Sequence, residues 1–127
     1  MGVMASLETD RVLETQILPT RLLPAQLCAR DGSTVLSTLS LKTALSIGRA
    51  PDVGLRLRED PYISAHHAVI TWDPMLQTHV ITDTNSRNGT HVDDVLVTGS
   101  VRLTDGCSIK MGVTELVYHA PRERKLR

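Results

Sequence analysis

An antiparallel all-β sandwich is the fold class predicted by three features of the sequence. Apolar residues alternate with period two in short runs, turn-forming dipeptides separate those runs, and long windows of helical periodicity are absent between residues 20 and 120. Period two is the repeat of a strand with one face on a core, and regularly spaced turns are the mark of sandwiches and barrels.

The runs follow in chain order. Val53, Leu55 and Leu57 alternate with Gly54, Arg56 and Arg58, which predicts one amphipathic strand. The pattern returns at Ala68, Ile70 and Trp72, at Val80 and Thr82 around Ile81, at Val101 and Leu103 around Arg102, and at Leu116 and Tyr118 around Val117. Asp31-Gly32, Asp73-Pro74, Asn88-Gly89, Asp93-Asp94 and Asp105-Gly106 supply the turn signals. Short strands leave their connecting loops gathered at the two ends of the sandwich, so function is expected in loops at one end.

Length and charge narrow the function classes. At 127 residues the chain fits one domain, and its 41% hydrophobic content suffices for a core. Fourteen Lys and Arg balance fourteen Asp and Glu, which argues against binding a polyanion by counterion release, so no nucleic-acid partner is expected. Phe is absent, and Trp72, Tyr62 and Tyr118 are the only Trp and Tyr residues, so Leu, Val and Ile must pack the core. Cys28 and Cys107 read as buried thiols in a reducing compartment, and neither a membrane helix nor a secretory signal is visible. The expectation is an intracellular protein, cytoplasmic or nuclear, without a membrane partner.

Composition divides the chain into an acidic N-terminal tail (1–19), a folded part (20–120) and a basic, solvated C-terminal tail (121–127). Met1-Gly2-Val3-Met4-Ala5-Ser6 fits the pattern that marks Gly2 for N-myristoylation, although one acyl chain anchors only marginally.

Three polar segments at strand ends carry the chemistry: Gly48-Arg49, Ser64-Ala65-His66-His67, and Asn85-Ser86-Arg87-Asn88-Gly89-Thr90. Singly, each has a structural explanation: a turn with a solvated charge, a strand start, and a hairpin turn with positive φ. Together and in this order they resemble the forkhead-associated (FHA) domain, a phosphothreonine-peptide binding module. The matching positions are Gly48, Arg49, Ser64, His67, Asp83, Ser86, Asn88, Gly89 and Thr90, and Leu103-Thr104-Asp105-Gly106 with Ile109, Met111 and Gly112 extends the likeness over residues 20–120.

The resemblance implies that Arg49 and Ser64 contact the phosphate, joined by Arg87, where family members often carry Thr. Arg87 has two uses open to it: a second guanidinium on the phosphate, or its backbone N–H alone. Asn88 is implied to hold the peptide backbone, with Gly48, His67, Ser86, Gly89 and Thr90 supporting the site. A phosphothreonine dianion needs charge-assisted donors in fixed positions, and these residue types supply them. Ala65 and His91-Val92-Asp93-Asp94 depart from the family pattern, the first by dropping a larger side chain beside the peptide, the second by altering a hairpin.

The same residues admit two rival readings. Ser64, His67 and Asp83 are the residue types of a nucleophilic triad, but no nucleophile elbow or phosphate-cradling glycine loop accompanies them, so no enzyme is expected. A scaffold that binds partners independently of phosphorylation on the same sandwich is the other. His66, His79, His91 and His119 have no ligand partners at metal spacing, and neither metal nor cofactor is expected. In the tail, Thr9 and Thr15 are candidate phosphorylation sites. Thr15-Gln16 resembles the pair favoured by DNA-damage kinases, and some FHA proteins assemble through a phosphothreonine in their own tail. The resemblance puts the chain ends away from the binding loops, and the chain from Thr15 to the first strand near Arg21 reaches at most about 20 Å, about the whole length needed to cross the domain. Thr15 is therefore expected to engage a second molecule in a homodimer by tail exchange, whereas Thr9 could do either, unless both are ordinary tail residues.

Overall fold

The computed structural model describes residues 20–31, 34–41 and 43–125, all strand, turn or irregular chain without a helix. Gly2, Thr9 and Thr15 lie outside the described residues. Thirteen strands run in the order β1 (Thr20–Leu23), β2 (Gln26–Asp31), β3 (Thr34–Ser40), β4 (Ala44–Gly48), β5 (Leu55–Arg56), β6 (Ala68–Asp73), β7 (Thr78–Asp83), β8 (Thr90–Val92), β9 (Val95–Leu96), β10 (Ser100–Arg102), β11 (Ser108–Met111), β12 (Thr114–His119) and β13 (Arg122–Lys125).

They form a five-stranded sheet in the order β10-β7-β6-β4-β5 and a six-stranded sheet in the order β3-β2-β12-β11-β8-β9. Alternation within each strand decides what lies between the sheets. Ile70 on β6 pairs with Ile81 on β7, and Leu116 on β12 pairs with Ile109 on β11; all four are fully buried. With Ile47, Leu27, Leu103, Met111 and Tyr118 they belong to one hydrophobic cluster. Each such side chain contributes roughly 1.5–3 kcal/mol when removed from water, so a core lacking Phe is packed mainly by aliphatic residues around the one buried aromatic of the cluster, Tyr118. Cys28 and Cys107 are both free and buried.

Polar groups inside this core are matched. The Tyr118 hydroxyl lies 2.8 Å from His79 Nδ1 and accepts the His79 N–H, while Thr78 Oγ1 donates to the Leu103 carbonyl at 2.7 Å. This network fills the end of the sandwich opposite the one where β6 begins and β7 ends.

Three details differ from the sequence reading. The strand expected over 53–58 shortens to Leu55–Arg56 and runs parallel to β4, so the five-stranded sheet is mixed. A parallel neighbour on a sheet edge needs only two residues of register, and its flanks supply only the partly buried Leu57, packed against the core. On β7 it is Ile81, not Val80 or Thr82, that faces inward. Finally, Arg122–Lys125, expected in the solvated tail 121–127, pair antiparallel with Thr20–Leu23. That ladder is made by backbone amides, so a run of Arg, Glu, Arg and Lys gives no apolar alternation to reveal it.

The Asp93-Asp94 pair turns β8 into β9 with both residues at positive φ, 48° and 68°. Such a turn matches the twist of the strands. Asp93 Oδ1 accepts the Ser108 N–H at 2.9 Å, which offsets part of the strain of a non-glycine there.

Asp60, which the sequence reading passed over, ties the β5–β6 connection to the β11–β12 turn. Its carboxylate is buried and accepts the Tyr62 N–H at 3.0 Å, the Val113 N–H at 2.8 Å and the Thr114 hydroxyl at 2.7 Å. Asp60→Ala strands those donors and is expected to cost about 1–3 kcal/mol, read as a lower urea midpoint at unchanged m value. An unchanged midpoint would show that the three bonds carry no net stability.

Candidate functional site

The site is built where β4 ends, β6 begins and β7 crosses to β8 in the other sheet. At the end of β4, Gly48 lies flat against the backbone of residue 65, and a Cβ there would overlap the Ala65 carbonyl. Only glycine permits that approach. It lets the Arg49 N–H donate to the Ser64 carbonyl and the Ala50 N–H to the Ala65 carbonyl, both at 3.0 Å, while the His67 N–H donates to the Ile47 carbonyl at 2.8 Å. Arg49 and Ser64 are thereby held side by side.

His67 is fully buried and joins the second and third segments. Its Nδ1 accepts the Ser64 N–H at 3.0 Å, and its Nε2 lies 2.9 Å from the Gly89 carbonyl. A carbonyl only accepts, so Nε2 carries the proton and the ring is the neutral Nε2–H tautomer. Further along, the Thr84 N–H donates to the His67 carbonyl at 3.0 Å.

The loop from Asp83 to Thr90 closes on one carboxylate. Asp83 Oδ1 accepts the Ser86 and Thr90 hydroxyls at 2.6 and 2.7 Å, and Oδ2 accepts the Ser86 N–H at 2.9 Å. Ser86 Oγ in turn accepts the Gly89 N–H at 3.0 Å, and Thr90 is fully buried. Asn85 and Gly89 take positive φ, 64° and 86°, the two bends that return the chain to the sheet. Burial opposes ionisation of Asp83, but the hydrogen bonds from Ser86 and Thr90 outweigh it, and the carboxyl lies below its ordinary range.

With both loops braced, four side chains line one open cleft: Arg49, Ser64, Arg87 and Asn88, together with Tyr62 and Ala65. The Arg87 N–H donates to Ser64 Oγ at 2.9 Å. That backbone group is therefore occupied, which removes one of the two uses open to Arg87 and leaves its guanidinium. Ser64 Oγ keeps its own proton to donate outward. Asn88 Nδ2 donates to the Tyr62 carbonyl at 2.8 Å, which orients the amide and leaves its Oδ1 and second N–H. The guanidinium groups of Arg49 and Arg87 have no hydrogen bond or ion pair among the described residues. Two guanidinium groups, unpaired among the described residues, stand beside a hydroxyl and an amide, a set of donors with the chemistry to hold an anion.

The same geometry takes apart the triad rival. Both ring nitrogens of His67 are engaged by backbone groups, Ser64 Oγ is bonded to Arg87 N–H, and the Asp83 oxygens hold Ser86 and Thr90. No proton relay connects Ser64 to a base. His66 stands outside the cleft, with Nε2 donating to the Asp52 carboxylate at 3.0 Å, which lowers the Asp52 pKa. Among the described residues no three His, Cys, Asp or Glu side chains converge on a metal position.

Tyr62 and Asp60 are the contributors that sequence reasoning did not single out. Asp60 carries one local signal, an Asx turn in which its Oδ1 accepts the N–H two residues on. The role of the Tyr62 carbonyl is a backbone role, to which residue type gives no clue.

Asp83 provides a pH test of the braced loop. A carboxyl lowered in the folded state stabilises it above the unfolded pKa, and that contribution is lost as pH falls through the folded value. Wild-type protein is therefore expected to lose stability progressively below about pH 4, and Asp83→Asn to show a shallower acid limb. Identical acid limbs in calorimetric Tm against pH would remove Asp83 as the source.

Comparison with known proteins agrees with this geometry. The FHA domain profile matches residues 45–112. An FHA domain solved in a study of phosphothreonine-dependent FHA interactions is 34% identical, with TM-score 0.67 over 76% of this chain and 96% of its own. The FhaA FHA domain, crystallised in complex with an intracellular domain, is 34% identical with TM-score 0.65, covering 75% of this chain and 99% of its own. Mycobacterium tuberculosis EmbR, in complex with a low-affinity phosphopeptide, is 31% identical with TM-score 0.65 over 75% of this chain and 24% of the much longer EmbR. No curated protein sequence matches significantly. On the profile match over more than half its length, and on the identity shared with solved domains that it covers almost completely, the chain belongs to the FHA domain family.

Proposed function

We propose that the chain is a phosphothreonine-dependent protein interaction module whose phosphate receptor is Arg49, Ser64 and Arg87, with Asn88 holding the peptide backbone. The observation that carries this reading is the pair of guanidinium groups, unpaired among the described residues, beside a hydroxyl that accepts the Arg87 N–H and keeps its own proton to donate. A phosphate offers oxygens and no donors, so a site with donors turned outward is complementary to it. Structurally related domains bound to a phosphopeptide and to an intracellular protein domain support the same reading. Buried free thiols are consistent with an intracellular setting.

Arg49→Ala is expected to abolish phosphopeptide binding, because losing a charge-assisted phosphate contact costs on the order of 2–5 kcal/mol. Titration calorimetry on folded variant protein checks this. An unchanged dissociation constant contradicts the site.

The same reading extends to self-association through the N-terminal tail. Leu23, the last residue of β1, lies beside Trp72 and Gln77, at the end of β6 and β7 remote from the cleft. Thr15 stands about six residues before Arg21 and reaches at most about 20 Å, so a phosphate on it engages a second molecule more readily than its own cleft. Reciprocal exchange pairs two weak contacts and raises their effective concentration. Light scattering on protein phosphorylated at Thr15 is expected to show a dimer that Arg49→Ala returns to monomer. A monomer at high micromolar concentration, or a dimer indifferent to Arg49, contradicts it.

A further inference from the structure

We propose that Arg56 and Arg58 form a second anion subsite, beside Arg49, that takes an acidic side chain immediately preceding the phosphothreonine. The inference rests on the phosphothreonine reading and adds a sequence preference to it. A polar cleft lined by Arg49, Arg56, Arg58 and Glu59 adjoins the phosphate cleft and shares Arg49 and Ala65 with it.

Three features make this more than a solvated charge cluster. Leu55 and Leu57 are half-buried while Arg56 and Arg58 are exposed, and both arginines line the same cleft. Arg56 is also held in place: its Nε donates to the Arg49 carbonyl at 2.9 Å, and its two terminal amino groups have no partner among the described residues. Three cations face one carboxylate, Glu59, whose contact with Arg58 Nε is long at 3.7 Å between side chains that are 68% and 93% exposed. So wide and solvated a pair exchanges readily for an incoming anion. Ala65, the short residue at the junction of the two clefts, leaves the space open.

The position of the acidic residue is read from the chain's own candidate ligands. Glu8 directly precedes Thr9, and Glu14 directly precedes Thr15. Only Thr9 is also followed by an acidic residue, Asp10. A carboxylate just before the threonine is the feature both share.

The test is a set of otherwise neutral phosphothreonine peptides, with Glu or Gln immediately before the threonine or Glu immediately after it, titrated into wild-type protein, Arg56→Gln and Arg58→Gln. The Glu-before peptide is expected to bind wild-type protein at least about threefold more tightly than the Gln-before peptide, with the advantage shrinking as salt is raised. Either substitution should bring the ratio towards one. Because Arg56 also touches the Arg49 backbone, Arg58→Gln is the deciding variant if Arg56→Gln weakens the Gln peptide as well. Equal affinity of the two peptides for wild-type protein, a ratio retained in Arg58→Gln, or the same gain from Glu after the threonine each overturns the subsite while the phosphate site stands. If no phosphothreonine peptide binds, the phosphothreonine reading falls and takes this inference with it.

Discussion

One buried imidazole holds the site together. His67 accepts the Ser64 N–H through Nδ1 and donates to the Gly89 carbonyl through Nε2, so a single ring fixes the spacing between the β5–β6 loop and the loop that crosses from β7 to β8 in the other sheet. The first loop is also anchored by Ile63, buried in the core beside Ser64, whereas the second has no apolar side chain between Thr84 and Gly89. Removing the ring strands a buried donor on one loop and a buried acceptor on the other, each costing about 1–3 kcal/mol. No other side chain of that volume offers both an acceptor and a donor at opposite edges of one rigid plane. The residue is costly to bury without partners and stabilising once both are present.

From that constraint follows a division of labour. Buried His67 and Thr90 and half-buried Asp83 spend their hydrogen-bonding capacity on the protein and hold backbone in place. Exposed Arg49 and Arg87 carry guanidinium groups with no partner among the described residues, and Asn88, one N–H of which holds the Tyr62 carbonyl, keeps its Oδ1 and second N–H. Ser64 does both, accepting from Arg87 N–H and retaining its proton. Such preorganisation lowers the cost of ordering loops on binding, which allows a small cleft to hold a flexible peptide by a few contacts. It also explains why a site with Ser, His and Asp side by side is no catalytic relay: each is committed to a different partner.

The fold was largely legible because period two survives where one face meets the core, as at Ala68, Ile70 and Trp72. It failed where pairing is made by backbone alone. Arg122–Lys125 form a strand that their side chains do not announce, and Leu55–Arg56 keep only two residues of a longer apolar alternation. At the site, the spacing Asp83-x-x-Ser86 and Gly89-Thr90 was readable because a loop that closes on its own carboxylate is local in sequence. The Asp60 bonds to Val113 and Thr114 span more than fifty residues and leave no local trace. The occupation of the Arg87 N–H by Ser64 Oγ likewise depends on two loops meeting, which spacing alone does not express.

The central claim is that the cleft between these braced loops is a receptor for phosphate on threonine. Backbone amide shifts in two-dimensional NMR test it most directly, comparing a threonine peptide with and without its phosphate. The account predicts that only the phosphorylated peptide perturbs the protein, with the largest shifts at Arg49, Ser64, Ala65, Arg87 and Asn88. Equal perturbation by both peptides, or shifts centred on Leu23 and Trp72 at the far end of the sandwich, would contradict it.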